Sequence, residues 1–138
     1  MTRARWSGQA TVEFAAGLTM FLLLIVGALD LGRGVWISNS MDHAAREAAR
    51  YGSIPTRTRD EIRNHAIQRA TGIGLAIANV SVTRGICGDP SSPVVVTIAY
   101  SFTPIASGFA ALWGGGSGIA MGASSSMYVE RGVPPCAL

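Results

Sequence analysis

The chain of 138 residues contains no lysine, only two histidines and two cysteines, and charged residues make up just 14% of it. Each scarcity excludes something. The eleven basic residues are all arginines, scattered singly along the chain against eight acids, for a net charge of +3. Nucleic-acid binding needs a clustered basic face, and no such cluster is present. Asp42, His43 and Glu47 fall within about a turn of one another on a helical spacing. With no Cys, Ser or second His joining them, they read as a solvated helix face rather than a catalytic or metal cluster. His65 falls on the polar side of a short predicted helix, where an ordinary exposed histidine is expected. The glycine run after Trp113, "GGGSG", lacks the Lys-Ser/Thr pair of a phosphate loop and reads as a turn with an apolar anchor. No enzymatic chemistry, cofactor, metal or small-molecule substrate is implied.

Cys87 and Cys136 both lie in the C-terminal half, and neither has a Cys or His neighbour at metal-ligand spacing. If that half lies outside the cytoplasm, a single disulfide is the expected state, against two free thiols. Closing a loop of about fifty residues would stabilise the fold by on the order of 4 kcal/mol in the chain-entropy view.

What the chain does have is an uncharged apolar run from Phe14 to Leu29, headed by a carboxylate, Glu13. Residues 10–29 rise by about 1.5 Å each, enough to cross the roughly 30 Å of a bilayer core once. Arg3 and Arg5 precede the run, whereas Asp30 and Arg33 beyond it cancel. The positive-inside rule therefore places the N-terminus in the cytoplasm and the rest of the chain outside. Asp30 and Arg33, three apart on a helix, are predicted to pair at the outer surface. Glu13 raises a question of cost. An unpaired charge at bilayer depth costs roughly 2.5–3.5 kcal/mol on the lenient insertion scale, so it either sits in the headgroup region or has a partner.

A secretory signal peptide is the main competing reading, because Val26-Gly27-Ala28 has the small-x-small character of a cleavage site. It would yield a secreted small binding domain, while an uncut chain would be a plain membrane-anchored interaction protein. Against cleavage there, the n-region would contain Glu13 and the helical pattern runs straight past the cut. Val35, Ile37, Met41, Ala44, Ala45, Ala48 and Ala49 form one stripe on a 3.6-residue helix. Tyr51-Gly52 reads as a glycine cap with Pro55 beyond it. The pattern predicts one helix over residues 9–52, its first half in lipid and its alanine face packed on a small domain.

Residues 53–138 read as that domain. Thr58 and Glu61 fit a capping box, with Ile62, Ala66, Ile67 and Ala70 forming a short amphipathic helix ending at Gly72. Ala78, Val80 and Val82 alternate with polar residues as in a strand. "VVVTIAYSF" puts Val94, Val96, Ile98, Tyr100 and Phe102 on one face. A weaker third strand puts Ile119, Met121, Met127 and Val129 on one face. The fold class expected is α+β, a long N-terminal helix packed on an antiparallel sheet of about three strands with one short extra helix.

"SGQATVEFAAGL" resembles the processing site of a prepilin-type leader of the tight-adherence (Tad, or Flp) pilus system: Gly8, a cut before Gln9, then Glu13-Phe14. "LTMFLLLIVGALDLGRGVW", "AAREAARYG", "VTIAYSFTPI" and "GASSSMYVER" resemble TadE-like proteins, the minor pseudopilins of that system. The resemblance implies a leader of residues 1–8 removed by a prepilin peptidase and a pilin-like fold. It implies residence in the inner membrane, with a role in pilus biogenesis and only an indirect one in adhesion. The partners it implies are a TadF-like pseudopilin, the Flp pilin and the inner-membrane assembly platform.

Overall fold

The computed structural model of the chain describes residues 7–84, 89, 92–111, 115 and 118–130. Cys87, Cys136 and Trp113, and with them the expected disulfide, lie outside the described residues. The class is α+β. Helix α1 runs over Ser7–Gly52, 46 residues, a stretch without proline in which nothing removes a backbone donor. It stops where the Ser53 N–H donates to the Ala49 and Arg50 carbonyls and the Ser53 hydroxyl donates again to Arg50, with Pro55 just beyond.

The chain divides into two compact units, Met1–Arg33 with Thr103–Gly118, and Gly34–Phe102 with Ile119–Leu138. The second unit holds the buried core among the described residues. From α1 it takes Ile37, Met41, Ala44, Ala45, Ala48 and Ala49, each at most 5% exposed. Four alanines on one stripe leave so little side chain that the backbone itself can approach its neighbours. Val35, predicted to lie on that stripe, is 60% exposed. It sits one residue past Gly34, off the face that Ile37 and Met41 define.

Helix α2, Arg59–Arg69, begins with the predicted capping box: Glu61 N–H donates to Thr58 Oγ1 at 3.3 Å, and Thr58 N–H donates to Glu61 Oε2 at 3.0 Å. Its inner face buries Ile62 and Ala66, with Ile67 partly buried beside them. The helix ends at Arg69, earlier than predicted. Gly72 is instead in the left-handed region at φ +81°, and a Cβ there would lie 2.9 Å from the Trp36 ring. Both facts favour glycine.

Strands β1 (Val80–Thr83), β2 (Val94–Phe102) and β3 (Ile119–Met127) form an antiparallel sheet in the order β1-β2-β3. Between the last two comes a single turn of helix, α3, Ser107–Ala110. Register pairs Val80 with Ile98 and Val82 with Val96 on one side of β2, and Ile98 with Ala123 on the other. Val94, Val96, Ile98 and Phe102 are buried and Tyr100 is partly so, the period-two face predicted.

Three local expectations are corrected. Ala78 belongs to a 3-10 turn, Ile77–Asn79, where Asn79 accepts from Ala76 N–H and donates to the Ala99 carbonyl on β2, so the strand starts two residues later. Gly52 is the last residue of α1 rather than a left-handed cap, since among the described residues only Gly72 and Gly74 have positive φ. What Gly52 serves is packing, because a Cβ would meet Ile62 and Val94 side chains at 3.0 Å. In β3 the predicted face is the inner one, with Ala123 buried and Met121 partly so, but its ends are not core: Ile119 and Met127 are 55% and 39% exposed. Val129 is buried just after the strand, held there by the Glu130 N–H donating to the Ser53 carbonyl at 2.9 Å.

Candidate functional site: the N-terminal helix and its end

Gly8 and Gln9 are the second and third residues of α1, and both are exposed. The first turn of a helix has no intrahelical partners for its N–H groups, and glycine is about 1 kcal/mol worse than alanine in a helix. The Gly8–Gln9 peptide bond therefore lies where the helix opens most easily. One turn further on, Gln9 Nε2 donates to Glu13 Oε1 at 3.3 Å. Glu13 itself is exposed, on the last turn before the apolar run.

Beyond it the helix surface is greasy on every side. Phe14, Met20, Phe21, Leu24 and Leu29 are each more than half exposed. Gly17 leaves a shallow hollow of about 270 Å³ between Phe14, Leu18 and Phe21. This is the one helix among the described residues long and apolar enough to cross a bilayer, with a mean hydropathy of 2.2 over its best window and none of that window buried. In water, such exposure would forgo roughly 1.5–3 kcal/mol per large side chain. An all-round apolar helix is the form expected in a membrane.

The run ends at Asp30, and here the surroundings change within one residue. Asp30 is 7% exposed. Its Oδ1 accepts from the Ile105 N–H at 2.9 Å and its Oδ2 from the Ala106 N–H at 2.7 Å, while Arg33 Nη1 lies 3.2 Å from Oδ1. Both carboxylate oxygens are thus used, and two backbone amides of the segment after β2 are satisfied by a charged acceptor, the stronger kind of hydrogen bond. The helical spacing predicts the Arg33 contact. The two amides lie 75 and 76 residues away in sequence and carry no side-chain signal, so the clamp is not legible in the sequence.

A second polar feature lies within the other unit. His65 is half-buried rather than fully exposed, its ring stacked on Tyr51 with centroids 4.4 Å apart and planes 11° from parallel. The Arg57 guanidinium sits 4.6 Å from the Tyr51 ring centroid. Burial depresses the His65 pKa below the usual imidazole range, Arg69 and Arg57 push the same way, and Glu47 opposes them. The adjoining hollow of about 360 Å³ mixes Glu47 and Glu130 with Arg50 and Arg69. Arg84 donates to the carbonyls of Ile54, Pro55 and Arg57 and so fixes the turn after α1. Asp42 and Glu47 are half-buried and His43 exposed along α1. Among the described residues no three His, Cys, Asp or Glu side chains gather as they would around a metal.

Residues 8–50 match the family model described as TadE-like protein. The match begins at Gly8 and takes in Gln9, Glu13, Phe14, the apolar run, Asp30, Arg33 and the whole alanine stripe. No curated protein and no solved structure matches the chain.

Proposed function

From the match of residues 8–50 to the TadE-like family model, we propose that the protein is a minor pseudopilin, a non-catalytic structural subunit used in assembling a Tad-type pilus. Residues 1–8 are its leader, removed by a prepilin peptidase between Gly8 and Gln9. Residues 10–29 cross the inner membrane once, with the N-terminus cytoplasmic and the C-terminal domain outside. Its partners are the peptidase, a TadF-like pseudopilin, the Flp pilin and the assembly platform. The observation that carries this reading is the apolar helix, none of whose best window is buried, with Glu13 at its head, inside the family-matching segment.

The same reading gives Glu13 its partner. Cleavage creates an α-amino group on Gln9, with a pKa near 8 in water, one turn from the Glu13 carboxylate. In a helical assembly that amine, from the same subunit or a neighbour, neutralises the acid at the membrane face. In low dielectric, removing one member of such a pair strands the other. Glu13→Ala is expected to leave membrane insertion intact and to reduce surface piliation sharply, counted by electron microscopy of the native host. Wild-type pilus numbers in the variant would remove Glu13 from the mechanism.

A further inference from the structure

The segment between β2 and β3, Thr103 to Gly118, has no charged residue and carries Ile105, Phe109, Leu112 and Trp113. Ile105 is 57% exposed, although the start of this segment is closely organised. The Ile105 and Ala106 N–H groups donate to Asp30, and the Ser107 hydroxyl and N–H both donate to the Pro104 carbonyl. Asp30 directly follows the apolar run that ends at Leu29. Hydrogen bonds of 2.7 and 2.9 Å fix the backbone of residues 105–106 within a side-chain length of the helix at that level. The headgroup layer between a core of about 30 Å and a full thickness of about 40–45 Å is itself only roughly 5–8 Å deep on each side. Resting on the reading of residues 10–29 as membrane-spanning, we propose that residues 104–111 form a second membrane contact, a lipid-surface anchor lying in the outer interface of the inner membrane.

The chemistry of the segment suits that layer. Interfacial segments bury aliphatic and aromatic side chains such as Leu and Phe in the headgroup–acyl boundary, and residues 104–111 carry no acid that would oppose this. Asp30 neutralises its own burial through two amides and Arg33, so the clamp presents no bare charge to the lipid. Arg33, whose side chain is 47% exposed, is placed to reach lipid phosphates as well as Asp30, as arginines at helix ends do. The anchor would fix the height of the helix end relative to the bilayer, which a single tilting helix cannot do alone.

The test uses the full-length chain reconstituted in phosphatidylethanolamine–phosphatidylglycerol vesicles with a lipid-soluble carbene photolabel, the modified residues being located by mass spectrometry. Label is expected in residues 10–29 and, severalfold above the level in β2, in residues 104–111. In Asp30→Ala the loop label is expected to fall severalfold with the 10–29 label unchanged, and Ile105→Asp is expected to lower it without touching the clamp. Label in 10–29 with none above the β2 level in 104–111 would overturn the anchor and leave the spanning helix standing; that outcome would point to a protein covering the loop. No label in 10–29 would overturn the spanning reading and the anchor with it.

Discussion

One helix, α1, behaves as two materials. Between Val12 and Leu29 its large apolar side chains are exposed, apart from half-buried Val26, whereas between Ile37 and Ala49 its apolar side chains are buried and are mostly alanine. The halves differ both in total hydrophobicity and in its arrangement. In the first half Leu, Phe, Ile and Met occupy the whole circumference, so no single face can be satisfied by a protein partner. In the second half, small residues form one stripe and Asp42, His43, Arg46, Glu47 and Arg50 occupy the rest, the amphipathic pattern of a helix docked on a core. A helix that is apolar all round asks for lipid, and one with a narrow small-residue stripe asks for a sheet.

Two substitutions break the comparison from opposite ends. The largest effect is expected from a charge in the first half: Leu24→Arg puts a guanidinium in mid-span at a cost of roughly 2.5–3.5 kcal/mol on the insertion scale. The carbonate-resistant membrane fraction should collapse. A variant that still fractionated wholly with membranes would show that the first half needs no lipid. In the second half the sensitive change is one of volume. Ala48 is 0% exposed, and Ala48→Leu forces three extra carbons into a filled core at a cost of about 1–3 kcal/mol. The thermal midpoint of the detergent-solubilised protein should drop by several degrees with membrane fractionation unchanged. An unchanged midpoint would mean the stripe is not tightly packed.

The smallest effect concerns pH and confines itself to the second unit. His65 has its pKa lowered on folding, chiefly by burial, so the unfolded chain takes up a proton first as the medium is acidified. Its effect is therefore absent above the unfolded histidine pKa of about 6.5 and becomes a loss of stability as pH falls from there towards the folded value. Denaturation midpoints should decline slightly between neutral and mildly acidic pH. His65→Gln should flatten that decline, and an identical slope in the variant would place its origin elsewhere.

The same contrast explains what could be read from the sequence. Features set by neighbours in the chain were legible: the capping box of Thr58 and Glu61, the period-two face of Val94, Val96 and Ile98, and the alanine stripe. Features set by distant packing were not. Gly52 looks like a cap in sequence, yet it is small because Ile62 and Val94 converge on it. The ends of β3 look like core residues, yet Ile119 and Met127 lie exposed while Met121 and Ala123 between them pack on the core. The His65–Tyr51 stack joins two helices, and the Asp30 clamp uses backbone amides, which any residue could supply. Of the candidate site, Gly8, Gln9, Glu13 and Phe14 form one local motif in the sequence, and their role belongs to the proposal. The amide partners of Asp30 required the fold.

The central claim is that the exposed first half of α1 is the working end of a processed pilus subunit. It is tested most directly by the N-terminal mass of the protein recovered from native host membranes, with and without the host's prepilin peptidase. The account predicts a chain beginning at Gln9 when the peptidase is present and retaining residues 1–8 when it is absent. A chain beginning near Leu29 in both strains, or one still carrying Met1 in both, would contradict it.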